Sequence, residues 1–226
     1  SYAAFSPGRN WEQIRTTICL NDRPVKIIGS HAGISVGPDG ATHQMLEDIA
    51  LMRALPNMVV LAPGDSIEAE KMTMAMAKDK RPNYMRLARE PTPIFTTDKT
   101  PFEIGKAYTL AIGQDVTIVA TGTMTYHALA AAEMLFRDGI DAEVVHSPTI
   151  KPLDAVTILK SVHKTKCVIT VEEAQIIGGL GGAVAEIVSE ESQVPLKRLG
   201  MRDTFGESGT QEELLHKFGL TSKHIA

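Results

Sequence analysis

Apolar positions along this chain fall into short continuous runs that alternate with stripes at helical spacing. Residues 25–28 read as a short strand, residues 44–55 carry apolar side chains at helical spacing, and residues 58–61 form a buried apolar strand closed by Ala62-Pro63. Asp65 is placed to cap a helix over about 67–78, with Glu68 three residues on completing the capping pattern, and residues 83–87 read as another strand. Pro91, Pro93 and Pro101 interrupt residues 90–101, so that segment is the candidate linker. Past it the alternation resumes. Residues 116–121, 142–146, 167–171 and 196–199 read as strands and residues 126–138 and 154–162 as helices, and Gly178-Gly179-Leu180-Gly181-Gly182 opens a further helix through Glu190.

Strands alternating with helices of this length imply mainly parallel pairing through right-handed crossovers. The expected fold is α/β: two mainly parallel-sheet domains, at 1–100 and 101–226.

Composition narrows the classes of function. With 226 residues, 43% hydrophobic and 22% charged, the chain is expected to be a soluble globular protein. A net charge of −4 without any lysine or arginine run argues against nucleic acid as a partner and favours small molecules and proteins. No apolar run approaches the roughly 20 residues that span a bilayer, and no secretory leader opens the chain. Cys19 and Cys167 stand far apart in apolar runs, which suggests buried reduced thiols and a cytoplasmic setting. The chain begins at Ser1 with a segment that reads as the middle of a structured region, so further sequence is expected upstream.

The richest chemistry lies between residues 29 and 44, where His31, Asp39 and His43 share a glycine-rich loop between a strand and a helix. Glycine admits close approach of a ligand, and imidazole and carboxylate offer hydrogen bonds and proton transfer near neutral pH. The twelve-residue spacing of the histidines is unlike common zinc sites. A plainer reading has Thr42 capping the helix and Asp39-Gly40 forming a turn. The glycine run at 178–182 matches neither the dinucleotide nor the Walker spacing and follows the acidic pair Glu172-Glu173, so a tight strand-to-helix turn is expected rather than a phosphate loop. Arg86 and Arg89 end a strand where a guanidinium can clamp phosphate, and Met72, Met74 and Met76 are expected to fill a core.

The run GSHAGISVGPDGATHQMLEDIALMRALPNM, with SYAAFSPGRNWEQIR before it and YMRLAREPTP after it, resembles the C-terminal half of transketolase, above all the small subunit of split transketolases. The resemblance covers the whole chain. It implies part of a pyrimidine-binding domain for thiamine diphosphate followed by a transketolase C-terminal domain. It also implies that Tyr2 and Phe5 pack on the aminopyrimidine ring, that His31 and Arg89 hold the sugar phosphate, and that Asp39 contacts a donor hydroxyl. His43 would approach the reacting carbonyl and hydroxyl groups as the catalytic residue.

By the same resemblance the activity is transfer of a two-carbon ketol unit from xylulose 5-phosphate to ribose 5-phosphate in the pentose phosphate pathway. The family's ring-contacting glutamate would precede Ser1. The motif that holds magnesium, or another divalent cation, and the diphosphate is missing: Gly37-Pro38-Asp39-Gly40 is not that signature, and no metal ligand is assigned here. The implied partners are an N-terminal subunit with the diphosphate-binding domain and a second copy of this chain, as a heterotetramer. Pro38 and Ala41 depart from the common pattern, redistributing loop rigidity while keeping the polar trio. Related readings are a 1-deoxyxylulose-5-phosphate synthase, the β subunit of a 2-oxo acid dehydrogenase, or a non-catalytic paralogue that keeps only the fold and dimer surface. A metal hydrolase is a more distant alternative.

Overall fold

A computed structural model describes residues 1–226. In chain order the elements are α1 (Trp11–Gln13, running on as a π-helical stretch, Ile14–Cys19), β1 (Lys26–Gly29), a 3-10 segment (Ile34–Asp39), α2 (Asp48–Arg53), β2 (Val59–Leu61), α3 (Ser66–Lys78) and β3 (Asn83–Arg86). They continue with β4 (Tyr108–Ala111), β5 (Val116–Ala120), α4 (Met124–Arg137), β6 (Ala142–His146), β7 (Thr149–Lys151), α5 (Ala155–Thr165), β8 (Val168–Gln175), α6 (Leu180–Glu191), β9 (Leu196–Met201), α7 (Gln211–Lys217) and α8 (Ser222–Ile225).

The strands form two α/β sheets, with order β1-β3-β2-β7 in one and β4-β6-β5-β8-β9 in the other. Pairing is parallel as expected, except that β7 lies antiparallel to β2 and β4 antiparallel to β6, each at a sheet edge. Burial on both faces explains the continuous apolar run of β2; β3 is buried along its whole length as well, although it carries Asn83 and Arg86. Strand β7 was not legible in the pattern. It holds three residues, between Pro148 and Pro152, and its partner lies some 90 positions earlier in the chain.

Asp65 caps α3 as expected, accepting from the Glu68 amide at 3.0 Å. Glu68 does not complete the box, because its side chain turns to the Gly64 amide at 2.7 Å and to His146 Nε2 at 2.8 Å. The linker segment is irregular yet tied down: Asp65 also accepts from the amides of Phe95 and Thr96.

The helix expected over 44–55 begins only at Asp48, so Thr42 is not its cap; the Thr42 hydroxyl lies 2.8 Å from His43 Nδ1 instead. Met45 is drawn into a bridge with Ala32, and Leu46 is buried in the core beneath the second sheet, which holds these residues extended. Of the methionines, Met72 and Met76 are buried with Val59, Leu61 and Met85, whereas Met74 is exposed. Cys19 is buried, but Cys167 is only partly so.

Ile34 joins Leu46 in the core formed by α4, α7 and the second sheet. The loop between β1 and α2 therefore leaves the first sheet and anchors its apolar residues in the second. His31, Asp39 and His43 on the same loop remain at least partly exposed.

Candidate active site

Gly29 ends β1 against Tyr84, whose hydroxyl would lie 2.3 Å from any added Cβ, so a side chain is excluded where the chain turns into the loop. Ser30 pairs with the segment at the start of the chain: its amide donates to the Ser1 carbonyl at 3.0 Å and its carbonyl accepts from the Ala3 amide at 2.7 Å. That pairing places Tyr2 beside His31. His31 itself adopts a left-handed conformation, φ 56°, which aims its ring across Tyr2.

Four rings gather at this point. Tyr2 and His31 stack with centroids 3.9 Å apart, Tyr2 and Phe5 lie nearly parallel at 6.2 Å, and His43 stands edge-on to Phe5 at 5.4 Å and to Tyr2 at 6.2 Å. The Arg9 guanidinium lies over the Phe5 ring, 4.7 Å from its centroid. All four rings are partly exposed, so the cluster is a surface and not a core.

Asp39 and Arg89 form a separate polar pair. Arg89 Nη1 donates to Asp39 Oδ1 at 3.2 Å and to the Val36 carbonyl at 2.7 Å, while its Nε faces Glu90 at 3.4 Å. Arg89 thus lies partly exposed beside the loop that carries the rings. Arg86 does not join it. Its guanidinium is buried, bonded to Asp48 Oδ2 at 2.9 Å and to the Glu173 carbonyl at 2.8 Å, so it braces the structure and is not free to clamp a phosphate. Burial disfavours its charge, but Asp48 and Glu173 outweigh that and raise its pKa above the ordinary arginine value.

The loop is held by residues that pattern reading passed over. Gln44 Nε2 donates to the carbonyls of Ile34, Gly37 and Glu207, at 3.2, 3.3 and 2.8 Å. Glu173 Oε1 accepts from the Ser35 amide at 2.5 Å. The signal for Glu173 lay in the sequence: two consecutive carboxylates inside an apolar strand require buried partners. They face opposite ways. Glu172 caps α6, accepting from the amides of Leu180 and Gly181 at 2.7 and 2.8 Å. The glycine-rich turn therefore holds the chain's own carboxylate.

Residues 1–93 match the transketolase pyrimidine binding domain, and residues 105–225 match the transketolase C-terminal domain. This chain belongs to the transketolase family. It is 47% identical, over its full length and 72% of the relative, to a predicted transketolase C-terminal section of Methanocaldococcus jannaschii. It is 42% identical to a 6-deoxy-6-sulfo-D-fructose transketolase subunit of a Clostridium species, covering all of this chain and 70% of that one. A split gene transketolase, solved as an inactive β4 tetramer, superposes with a TM-score of 0.93 at 44% identity, covering 99% of this chain and 72% of that one.

Transketolases depend on thiamine diphosphate, and the site fits one half of that cofactor. The partly exposed, nearly parallel rings of Tyr2 and Phe5 suit a flat heterocycle. For the diphosphate and its cation the chain shows no counterpart: no three His, Cys, Asp or Glu side chains gather as metal ligands, and the glycine-rich helix start is taken by Glu172. No helix is long and apolar enough to cross a membrane.

Proposed function

We propose that this chain is the C-terminal subunit of a split transketolase that moves a two-carbon ketol unit from a ketose phosphate to an aldose phosphate. The observation that carries the reading is the grouping of Tyr2 and Phe5 from the start of the chain with His31 and His43 of the loop on one partly exposed surface, with Arg89 paired to Asp39 of the same loop. Xylulose 5-phosphate and ribose 5-phosphate, the substrates of the pentose phosphate pathway, are the proposed pair. The kinship with a sulfofructose transketolase subunit makes donor choice the open variable of this site.

Thiamine diphosphate, when bound, supplies an electron sink for the carbanion that the carbon–carbon cleavage leaves behind. This chain's own residues bind and orient the reactants. Tyr2 and Phe5 orient the pyrimidine ring, and His31 and Arg89 hold the sugar phosphate through charge-assisted hydrogen bonds. Asp39 accepts from a donor hydroxyl and so sorts sugars by configuration. His43, whose Nδ1 is engaged by Thr42, presents Nε2 to the reacting oxygens and moves a proton there. Magnesium or a similar cation and the diphosphate are held by an N-terminal partner chain. Two copies of each subunit then make a cytoplasmic heterotetramer, with the domain boundary of this chain near residue 100.

The test is reconstitution. This chain with its upstream residues, its N-terminal partner, thiamine diphosphate and magnesium is expected to convert xylulose 5-phosphate and ribose 5-phosphate into ketol-transfer products. No turnover at saturating cofactor, with any ketose phosphate donor, would overturn the reading in favour of a non-catalytic paralogue.

A further inference from the structure

Glu173 is a buried carboxylate from the second sheet that reaches into the first domain's loop. Its Oε1 accepts from the Ser35 amide at 2.5 Å, where the 3-10 segment begins, and its Oε2 accepts from the Thr123 hydroxyl at 3.2 Å. The fit is close on the loop side as well. Gly33 has φ 89°, and a Cβ added there would lie 2.4 Å from Glu173 Oε1. The main chain of Glu173 reaches the other end of the loop, since its carbonyl accepts from Arg86, whose guanidinium also donates to the Met45 carbonyl at 3.4 Å and to Asp48.

The neck of the loop is closed by its own backbone, with the Gly33 amide donating to the Met45 carbonyl at 2.8 Å. Between those points the chain turns through Gly37 at φ 73° and Gly40 at φ 72°, positions whose backbone freedom gives the segment little rigidity of its own. Besides the bonds that Gln44 makes to the Ile34 and Gly37 carbonyls, external anchors decide where Asp39 and His43 stand relative to the Tyr2–His31 stack. Burial pushes the Glu173 carboxyl up, opposed by the nearby Arg86 guanidinium and by the bonds from Ser35 and Thr123, which favour its charged form; in that form a bond to an amide is roughly twice as strong as a neutral pair. Glu173 is such an anchor, and it comes from the C-terminal domain, which contributes none of the proposed substrate contacts.

We propose that Glu173 is a positioning residue for donor-sugar recognition: by holding the Gly33–Ser35 backbone it sets the placement of Asp39 and His43. The proposal rests on the ketol-transfer reading for its consequence, while the anchoring itself is measurable without turnover. Glu173→Gln keeps the shape and one acceptor but loses the charge, whereas Glu173→Ala loses the anchor. Thr123→Val removes only the outer partner.

The experiment combines kinetics and amide exchange on the complex of this chain with its N-terminal partner. Relative to the parent complex, Glu173→Gln is expected to raise donor KM about threefold and Glu173→Ala about tenfold or more, with smaller changes in kcat and in thiamine diphosphate affinity. Discrimination between donors of opposite configuration at the hydroxyl facing Asp39 is expected to narrow in the same order. Exchange over residues 33–43 is expected to quicken in both variants while β1 keeps its protection. A folded Glu173→Gln variant with parental KM, donor selectivity and loop exchange overturns the proposal. So does a uniform loss of kcat, cofactor affinity and β1 protection, which marks a purely structural role. If the parent complex has no turnover, the ketol-transfer reading fails by itself. The exchange arm then still decides whether Glu173 anchors the loop.

Discussion

The Tyr2 ring lies face to face with the His31 ring, centroids 3.9 Å and planes 13° apart. The residue proposed to orient the pyrimidine and one proposed to hold the sugar phosphate therefore share a single surface. Tyr2→Ala is expected to weaken thiamine diphosphate binding and raise donor KM together, each about tenfold. His31→Ala should act chiefly on KM. Fluorescence titration of the cofactor beside steady-state kinetics checks this, and a Tyr2→Ala effect confined to cofactor affinity would show that the stack does not couple the two.

Asp39 draws part of the charge of Arg89 to itself, at 3.2 Å. Arg89→Ala is expected to raise KM for a phosphorylated donor about tenfold to a hundredfold and to change KM for the same sugar without phosphate about twofold at most. Asp39→Ala should preserve or tighten inhibition by inorganic phosphate, because the guanidinium is released, while relaxing the choice among donors. Weaker phosphate inhibition in Asp39→Ala would contradict the assignment.

Glu172 links stability to pH. Burial pushes its carboxyl up to about 7, against the opposing pull of the Gly181 and Leu180 amides and of Arg86 and Arg53. Because the folded chain holds this proton more tightly than the unfolded one, stability falls as pH rises from about 4.5 towards 7 and levels off above. The decline attributable to this group is about 3 kcal/mol at most. Denaturant unfolding of Glu172→Gln should show a shallower slope over that window than the parent chain. An equal slope would remove Glu172 as its source.

Arg86 and Asp48 form a buried ion pair at 2.9 Å, with Asp48 Oδ2 also accepting from the Tyr84 hydroxyl at 2.7 Å. Removing the guanidinium leaves a buried carboxylate without its cation, so Arg86→Leu is expected to cost about 3–5 kcal/mol of stability. Thermal unfolding checks it. Arg86→Leu combined with Asp48→Leu should recover part of the loss.

Strand β2 was readable because burial on both faces leaves it apolar throughout, and Asp65 was readable as a cap because its bond to the Glu68 amide is local. Strands β4 and β7 were not, since each is short and pairs at an edge with a distant segment. Helix α7 carried a legible signal that went unused, the capping box of Thr210 and Glu213. In the loop, His31, Asp39 and His43 stood out by chemistry. Their division into a ring cluster and an ion pair depended on Tyr2, Phe5 and Arg89, which lie near them only in space.

The sequence by itself determined most of the alternation of strands and helices and which loop carries the polar groups, because periodicity, caps and residue chemistry are local properties, and its resemblance to transketolases pointed to the family. Only the tertiary structure decided that Arg86 braces while Arg89 stays partly open, that Glu172 fills the glycine-rich turn, and that Glu173 crosses from the second sheet to hold the loop. Those roles follow from burial and from hydrogen-bond partners that lie up to 138 positions apart in the chain. The energy of a charge depends on what surrounds it, and its surroundings exist only after folding.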